Sequence, residues 1–217
     1  MPKFTALLAL LPLAVAAPAS AATVLDPVGD FLPTYAFDHD PDMDVTSFSV
    51  DFNSTTNVFT IGASLAGPVD LDEEGFYVIG VNTGTGHIDP FDDIGEGNVT
   101  FDQAIVLQKD GSVNLGTATL IGNVFTIEVP LALLPTTGAM PGDYGFNLWP
   151  RYGETITGND QIPDFAPQNA LLTPSGALRG AVPEPATWMT LLLGFGVVGA
   201  SMRRSRRTSA PHLAQVA

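Results

Sequence analysis

Cysteine is absent from this chain of 217 residues, which excludes a disulfide framework, a thiolate metal site and a cysteine nucleophile. Basic residues are almost as scarce. Between Ala22 and Val182 the chain has 22 acidic residues and three basic ones, Lys109, Arg151 and Arg179, which gives a net charge of −19. A surface this acidic repels nucleic acid and anionic lipid and attracts cations. We therefore expect no nucleic-acid partner, and a divalent metal is the first partner to test.

Long helix-forming stretches are also few, whereas the chain holds 22 Gly, 18 Pro and 13 Phe. This composition favours short strands joined by many turns. Apolar residues alternate in Val45–Phe52 and again in Phe59–Leu65, on either side of a polar turn at residues 54–57. The alternation predicts an antiparallel hairpin. The continuous apolar run Phe76–Val81 predicts a central strand that is buried on both faces.

Later segments add further β signals. We expect a hairpin in which Asp110-Gly111 joins Ala104–Leu107 to Val113–Ile121, a turn at Gly122-Asn123, a helical turn at Leu131–Pro135 and a last core strand at Tyr144–Trp149. Together the segments predict an all-β fold, an antiparallel β-sandwich with jelly-roll or immunoglobulin-like topology. We place this domain at residues 22–175 and a linker at residues 176–182.

The N-terminal segment is typical of a secretory signal peptide. Lys3 precedes an apolar run from Ala6 to Ala17, and the segment closes on the small residues Ala19-Ser20-Ala21. We expect signal peptidase to cleave after Ala21, so the exported chain would begin at Ala22.

The C-terminal segment combines four features in order: Pro183-Glu184-Pro185, then Trp188, then an apolar stretch to Met202, then Arg203, Arg204, Arg206 and Arg207. Two prolines that flank one residue hold the backbone extended. A tryptophan suits the membrane interface, and the arginines favour the cytoplasmic side. We expect a short transmembrane helix whose N-terminal end faces outward, followed by a disordered cytoplasmic extension at residues 208–217.

This combination resembles the PEP-CTERM sorting domain. The resemblance implies that Pro183, Glu184 and Pro185 form the recognition and cleavage element of an exosortase-type membrane peptidase. It also implies a Gram-negative bacterium, in which the chain is held briefly in the inner membrane by its C-terminal helix and then sorted to the cell surface or extracellular matrix. An ordinary single-span anchor with a chance Pro-Glu-Pro is the alternative.

Aspartates are concentrated at the start of the exported domain. Asp26 and Asp30 flank a Pro-Val-Gly turn, and a second group at Asp38, Asp40, Asp42 and Asp44 precedes the first long strand. Carboxylates this close repel one another, and a hard divalent cation relieves that repulsion through oxygen coordination. The spacing is not that of an EF-hand. Two interpretations of this segment remain: a calcium site, or an acidic loop that is solvated and binds no metal.

The same segment resembles DOMON-like and glucodextranase-type β-sandwich modules. That resemblance implies a calcium site at Asp26, Asp30, Asp42 and Asp44, residues that match the aspartate pairs of those modules.

Two other candidate sites have less support from the sequence. His87 and Asp89 lie in a polar loop and could serve a catalytic or zinc site, although a lone histidine in such a loop is usually exposed to solvent. Trp149, with Arg151 and Tyr152, could stack on a sugar, although such a tryptophan more often closes a core.

Two functional interpretations follow. The first is a non-enzymatic exported surface or matrix protein, associated with exopolysaccharide or biofilm, whose β-sandwich is stabilised by calcium and binds carbohydrate. The second is a secreted carbohydrate-active hydrolase, which would need paired carboxylates at glycosidase spacing.

Overall fold

The computed structural model describes residues 21–85, 88, 90–175 and 177–179. The elements in this part of the chain are strands and short 3₁₀ turns. The strands are β1 (Ala22–Leu25), β2 (Val45–Asn53), β3 (Val58–Leu65), β4 (Phe76–Asn82), β5 (Gln103–Gln108), β6 (Thr117–Ile121), β7 (Val124–Pro130), β8 (Gly145–Arg151), β9 (Leu171–Leu172) and β10 (Leu178–Arg179). They form two antiparallel sheets, in the order β1-β2-β3-β7-β6 and β10-β9-β8-β4-β5.

The predicted first hairpin is present. Strands β2 and β3 pair from Asn53 opposite Val58 to Val45 opposite Leu65. Burial alternates along β3, as the period-two pattern requires. Asn57 closes the turn with a φ of 54°, a left-handed conformation that asparagine tolerates better than most residues.

The two sheets pack face to face around one apolar core. Phe59 of β3 lies 5.3 Å from Phe146 of β8, and Tyr77 of β4 lies 5.4 Å from Phe125 of β7, measured between ring centroids. Core residues come from both sheets. This is the layer arrangement of a β-sandwich.

Strands β4 and β8 are buried along their whole length. The inner faces meet the shared core, while loops cover the outer faces and form a second apolar cluster that includes Phe91, Trp149, Ile162 and Phe165. Burial on both faces explains why β4 is a continuous apolar run rather than an alternating one.

Two predicted details are corrected. After Asp110-Gly111 the chain returns beside β5 only over residues 112–114, where the Gln108 N–H donates to the Ser112 carbonyl and the Asn114 N–H donates to the Val106 carbonyl. It then crosses to the other sheet, where β6 pairs with β7, so the predicted return strand does not extend to Ile121. In addition, β8 is not the last strand, because β9 and β10 extend the same sheet to Arg179, inside the segment predicted as a linker.

Candidate metal centre

The first part of the site is the turn that follows β1. Asp26 ends the pairing with β2, because its backbone N–H donates to the Thr46 carbonyl at 3.0 Å. The chain then turns at Gly29, whose φ of 82° is costly for a residue with a Cβ. The Gly29 N–H donates to Asp44 Oδ2 at 2.7 Å. This bond brings the aspartate that precedes β2 against the turn that carries Asp30.

A fourth carboxylate arrives from the far end of the domain. Asp164 lies between β8 and β9, and its side chain accepts hydrogen bonds from the Val45 N–H at 2.8 Å and from the Phe165 N–H at 2.7 Å. Only 5 % of Asp164 is exposed. The sequence pattern does not single out this residue. The available signal was one acidic residue within an otherwise apolar segment, Ile162 to Ala166.

These carboxylates converge on one small volume. Asp26, Asp30 and Asp164 each offer an oxygen, and these three oxygens lie within 4.8 Å of one another. Two ligands on opposite sides of a calcium ion are separated by about 4.6–5.2 Å, since calcium–oxygen distances are about 2.3–2.6 Å. The spacing therefore accommodates one such ion.

Several oxygens of the cluster are buried without a hydrogen-bond donor among the described residues. They are Asp26 Oδ2, Asp30 Oδ1 and Asp44 Oδ1. Asp44 itself is only 3 % exposed. Leaving a buried polar atom without a partner costs about 1–3 kcal/mol, and more for a charged group. A cation bound among these atoms would remove that cost.

The electrostatics of the cluster also favour a cation. The pKa of Asp26 is raised to about 8 by burial and by the charges of Asp164 and Asp30. Burial is likewise the main cause that raises the pKa of Asp164, to about 7, and that raises the pKa of Asp44. The site holds more negative charge than it can stabilise without either protons or a metal.

Asp42 lies outside this cluster, although the sequence grouped it with Asp44. Its Oδ2 is 2.8 Å from Lys109 Nζ and also accepts the Asp70 N–H at 3.0 Å. Both members of the ion pair are buried, and the Tyr77 hydroxyl donates to the Asp42 carbonyl at 3.1 Å. Asp42 is thus a partner of a buried lysine.

The remaining sequence candidates lie elsewhere. Trp149 is 2 % exposed and packs edge-on against Phe91 in the second core cluster, so its ring does not face solvent. Arg151 is also buried and donates to the Gly158 carbonyl at 3.0 Å. Tyr152 is half-buried beside Phe37. His87, Asp89 and the whole segment from Pro183 to Arg207 lie outside the described residues.

Comparison with known proteins identifies the C-terminal segment. Residues 181–207 match the family model of the PEP-CTERM protein-sorting motif. The chain therefore carries this motif, which supports exosortase-dependent sorting of an exported protein. No curated protein and no solved structure matches the chain. Among the residues that the structure describes, no helix is long and apolar enough to span a membrane. The span predicted between Trp188 and Arg203 lies outside them.

Proposed function

We propose that this chain is a non-enzymatic protein of the bacterial surface or extracellular matrix, released by an exosortase-type peptidase and associated with exopolysaccharide. The observation that carries the proposal is the sorting motif at residues 181–207. The charge of −19 between Ala22 and Val182 supports it, because a strongly acidic surface keeps a protein soluble and attracts cations outside the cell.

Changing Pro183 and Pro185 to alanine tests the sorting step. The variant should be retained in the inner membrane instead of reaching the extracellular fraction, because the stiff, extended recognition segment is lost. Pro211→Ala, beyond the arginine cluster, is the matched control and should be exported normally. An unchanged extracellular yield from the double variant would identify the tail as an ordinary anchor.

Calcium is the cation proposed for the aspartate cluster. The ligand atoms are all carboxylate oxygens, which suit a hard cation, and water would complete the six to eight oxygen ligands that calcium takes. Asp26, Asp30, Asp44 and Asp164 would hold the ion. Bound calcium would neutralise the cluster and tie the start of the domain to the segment before β9.

Thermal melting of the exported protein tests the calcium site. Calcium should raise the melting temperature more than magnesium, which dehydrates reluctantly and demands octahedral geometry. Sodium chloride at matched ionic strength controls for screening of the negative surface charge. Coincident melting curves in calcium and in matched sodium chloride would show that the cluster is a solvated acidic loop and not a specific calcium site.

An aromatic surface formed by Phe37 and Tyr152 supports the proposed polysaccharide binding. Phe37 is 37 % exposed and stacks on Tyr152 at 4.5 Å between ring centroids. The pKa of the Tyr152 hydroxyl is raised by desolvation and by the carboxylates of Glu73 and Glu74. Aromatic faces can pack against the C–H faces of sugars while nearby carboxylates accept hydrogen bonds from hydroxyl groups.

Cosedimentation with exopolysaccharide tests this surface. Tyr152→Ala should reduce the bound fraction, whereas Ile156→Ala, which removes an exposed apolar side chain from the same loop, should not. Equal binding by both variants would exclude this surface. Release of soluble sugar from the polysaccharide would instead support a secreted hydrolase.

A further inference from the structure

Strand β6 (Thr117–Ile121) forms one edge of the first sheet, and its outer side is open. It pairs with β7 across a two-residue turn at Gly122-Asn123, in which Gly122 has a φ of 61°. Within the described part of the chain, no hydrogen bond reaches the other side of β6. An open edge presents unpaired backbone N–H and C=O groups that another strand can join.

The register of the hairpin determines which groups are free. Ile121 and Val124 flank the two-residue turn and form its hydrogen-bonded closing pair. Because hydrogen-bonded and non-hydrogen-bonded pairs alternate, Thr119 also directs its backbone groups toward β7. The N–H and C=O groups of Ala118 and Leu120 therefore point to the open edge.

This edge lacks the features that normally prevent strand addition. Proteins protect edges with lysine, proline, bulges or very short strands. The segment from Gly111 to Ile127 contains no charged residue and no proline, in a domain that otherwise carries 22 acidic residues. The pairing of β6 with β7 is also regular over all five residue pairs.

The other sheet edges differ. β5 is covered by the segment that follows it, because Asn114 donates from its backbone N–H to the Val106 carbonyl and accepts the Val106 N–H with its side chain. β1 spans four residues and runs directly into Asp26, and β10 spans two. Of the four edge strands, β6 is the one built to accept a partner.

We infer that β6 is a self-association surface, on which a second copy of this chain adds its own β6 in antiparallel orientation. A twofold axis through Thr119 places Ala118 opposite Leu120 of the other copy, so the free N–H and C=O groups of both residues pair in both directions. All five residues of β6 are matched in this register, and the small Ala118 faces the larger Leu120 on the core side. The result is one continuous ten-stranded sheet.

The twofold register favours a second copy as the occupant, because the open side of β6 is complementary to itself. Two copies with a net charge of −19 each repel one another wherever acidic residues meet, and the uncharged segment around β6 is where they can approach. A groove of about 600 Å³ borders this edge, and its lining residues include the apolar Val69, Leu71, Ala118 and Leu120 and the charged Lys109 and Asp110. Leu71 is 70 % exposed there, and an added strand would cover part of this groove.

Sedimentation velocity on the protein collected from the extracellular fraction tests this inference. The wild-type protein should shift from monomer to dimer with increasing concentration, and more strongly as salt screens the repulsion between copies. Thr119→Lys places like charges opposite each other at the twofold axis, and it should weaken dimerisation up to about fivefold. Thr126→Lys is the matched control, because Thr126 faces Thr119 on the same exposed surface but lies in the interior of the sheet.

A charge-swap experiment reports on the register. Mixing Thr119→Lys with Thr119→Glu should restore dimers, because the two charges then meet across the axis. Three results would overturn the inference: a wild-type protein that stays monomeric at every concentration, association that survives Thr119→Lys, or an equal loss with Thr126→Lys. None of these outcomes depends on the calcium site.

Discussion

Replacing Asp30 by asparagine should change the stability of the domain in opposite directions with and without calcium. No described hydrogen bond holds the Asp30 side chain, and its Oδ1 is buried without a donor. In a chelator, the substitution removes one negative charge from beside Asp26, Asp44 and Asp164. Like-charge repulsion falls, and the melting temperature should rise.

In calcium the same substitution removes a charged ligand. A site filled at a hundredfold over its Kd contributes about 2.7 kcal/mol, and a tenfold weaker site at the same calcium concentration contributes about 1.4 kcal/mol. The loss of about 1.3 kcal/mol corresponds to a melting temperature about 3–5 °C lower for a domain of this size. Differential scanning calorimetry in calcium and in chelator measures both effects.

Asp38→Asn is the control for Asp30→Asn. Asp38 is exposed in the same loop region and its side chain forms no described hydrogen bond, so the substitution removes the same charge without removing a cluster residue. It should change the free energy of unfolding by less than about 0.5 kcal/mol, both in calcium and in chelator. If Asp30→Asn behaves like Asp38→Asn in calcium and in chelator alike, the cluster does not bind a metal.

Two further predictions concern the buried charges. Without calcium, the pKa values of Asp26 and Asp164 are raised to about 8 and about 7, so the folded state binds more protons than the unfolded one above about pH 4. The free energy of unfolding should therefore fall as the pH rises from about 4 to about 8. Calcium should reduce this pH dependence, which urea titrations at several pH values measure. An equal slope with and without calcium would contradict the assignment of the cluster as a calcium site. Lys109→Met leaves the Asp42 carboxylate buried without its cation, and it should lower the free energy of unfolding by about 3–5 kcal/mol. Adding Asp42→Asn should recover much of this loss, as measured by urea denaturation. A double variant no more stable than Lys109→Met would argue against the ion pair.

The sheets could be predicted where the signal is local. The β2–β3 hairpin follows from alternating apolar residues around a polar turn, and Gly122-Asn123 follows from turn chemistry. The hairpin expected after Asp110-Gly111 is correct only as far as Asn114, because the chain then leaves β5 and crosses to the other sheet. The point at which the chain crosses from one sheet to the other depends on packing between the sheets, which local sequence patterns do not predict.

The aspartate cluster was only partly accessible from the sequence. Asp26, Asp30 and Asp44 are near in sequence, and the structure brings them together. Asp164 meets Val45 across 119 residues, a contact that sequence spacing cannot predict. Asp42 is two residues from Asp44 but lies in a 3₁₀ turn, Pro41–Met43, where its side chain reaches Lys109.

The most direct test of the account is the mass of the intact protein recovered outside the cell, since one measurement reports both ends of the chain. We predict a species that begins at Ala22 and ends within or near Pro183-Glu184-Pro185, without the apolar stretch and arginine cluster that follow. An extracellular species that retains Arg203–Arg207, or a protein that stays entirely in the cell, would contradict the proposed export and sorting.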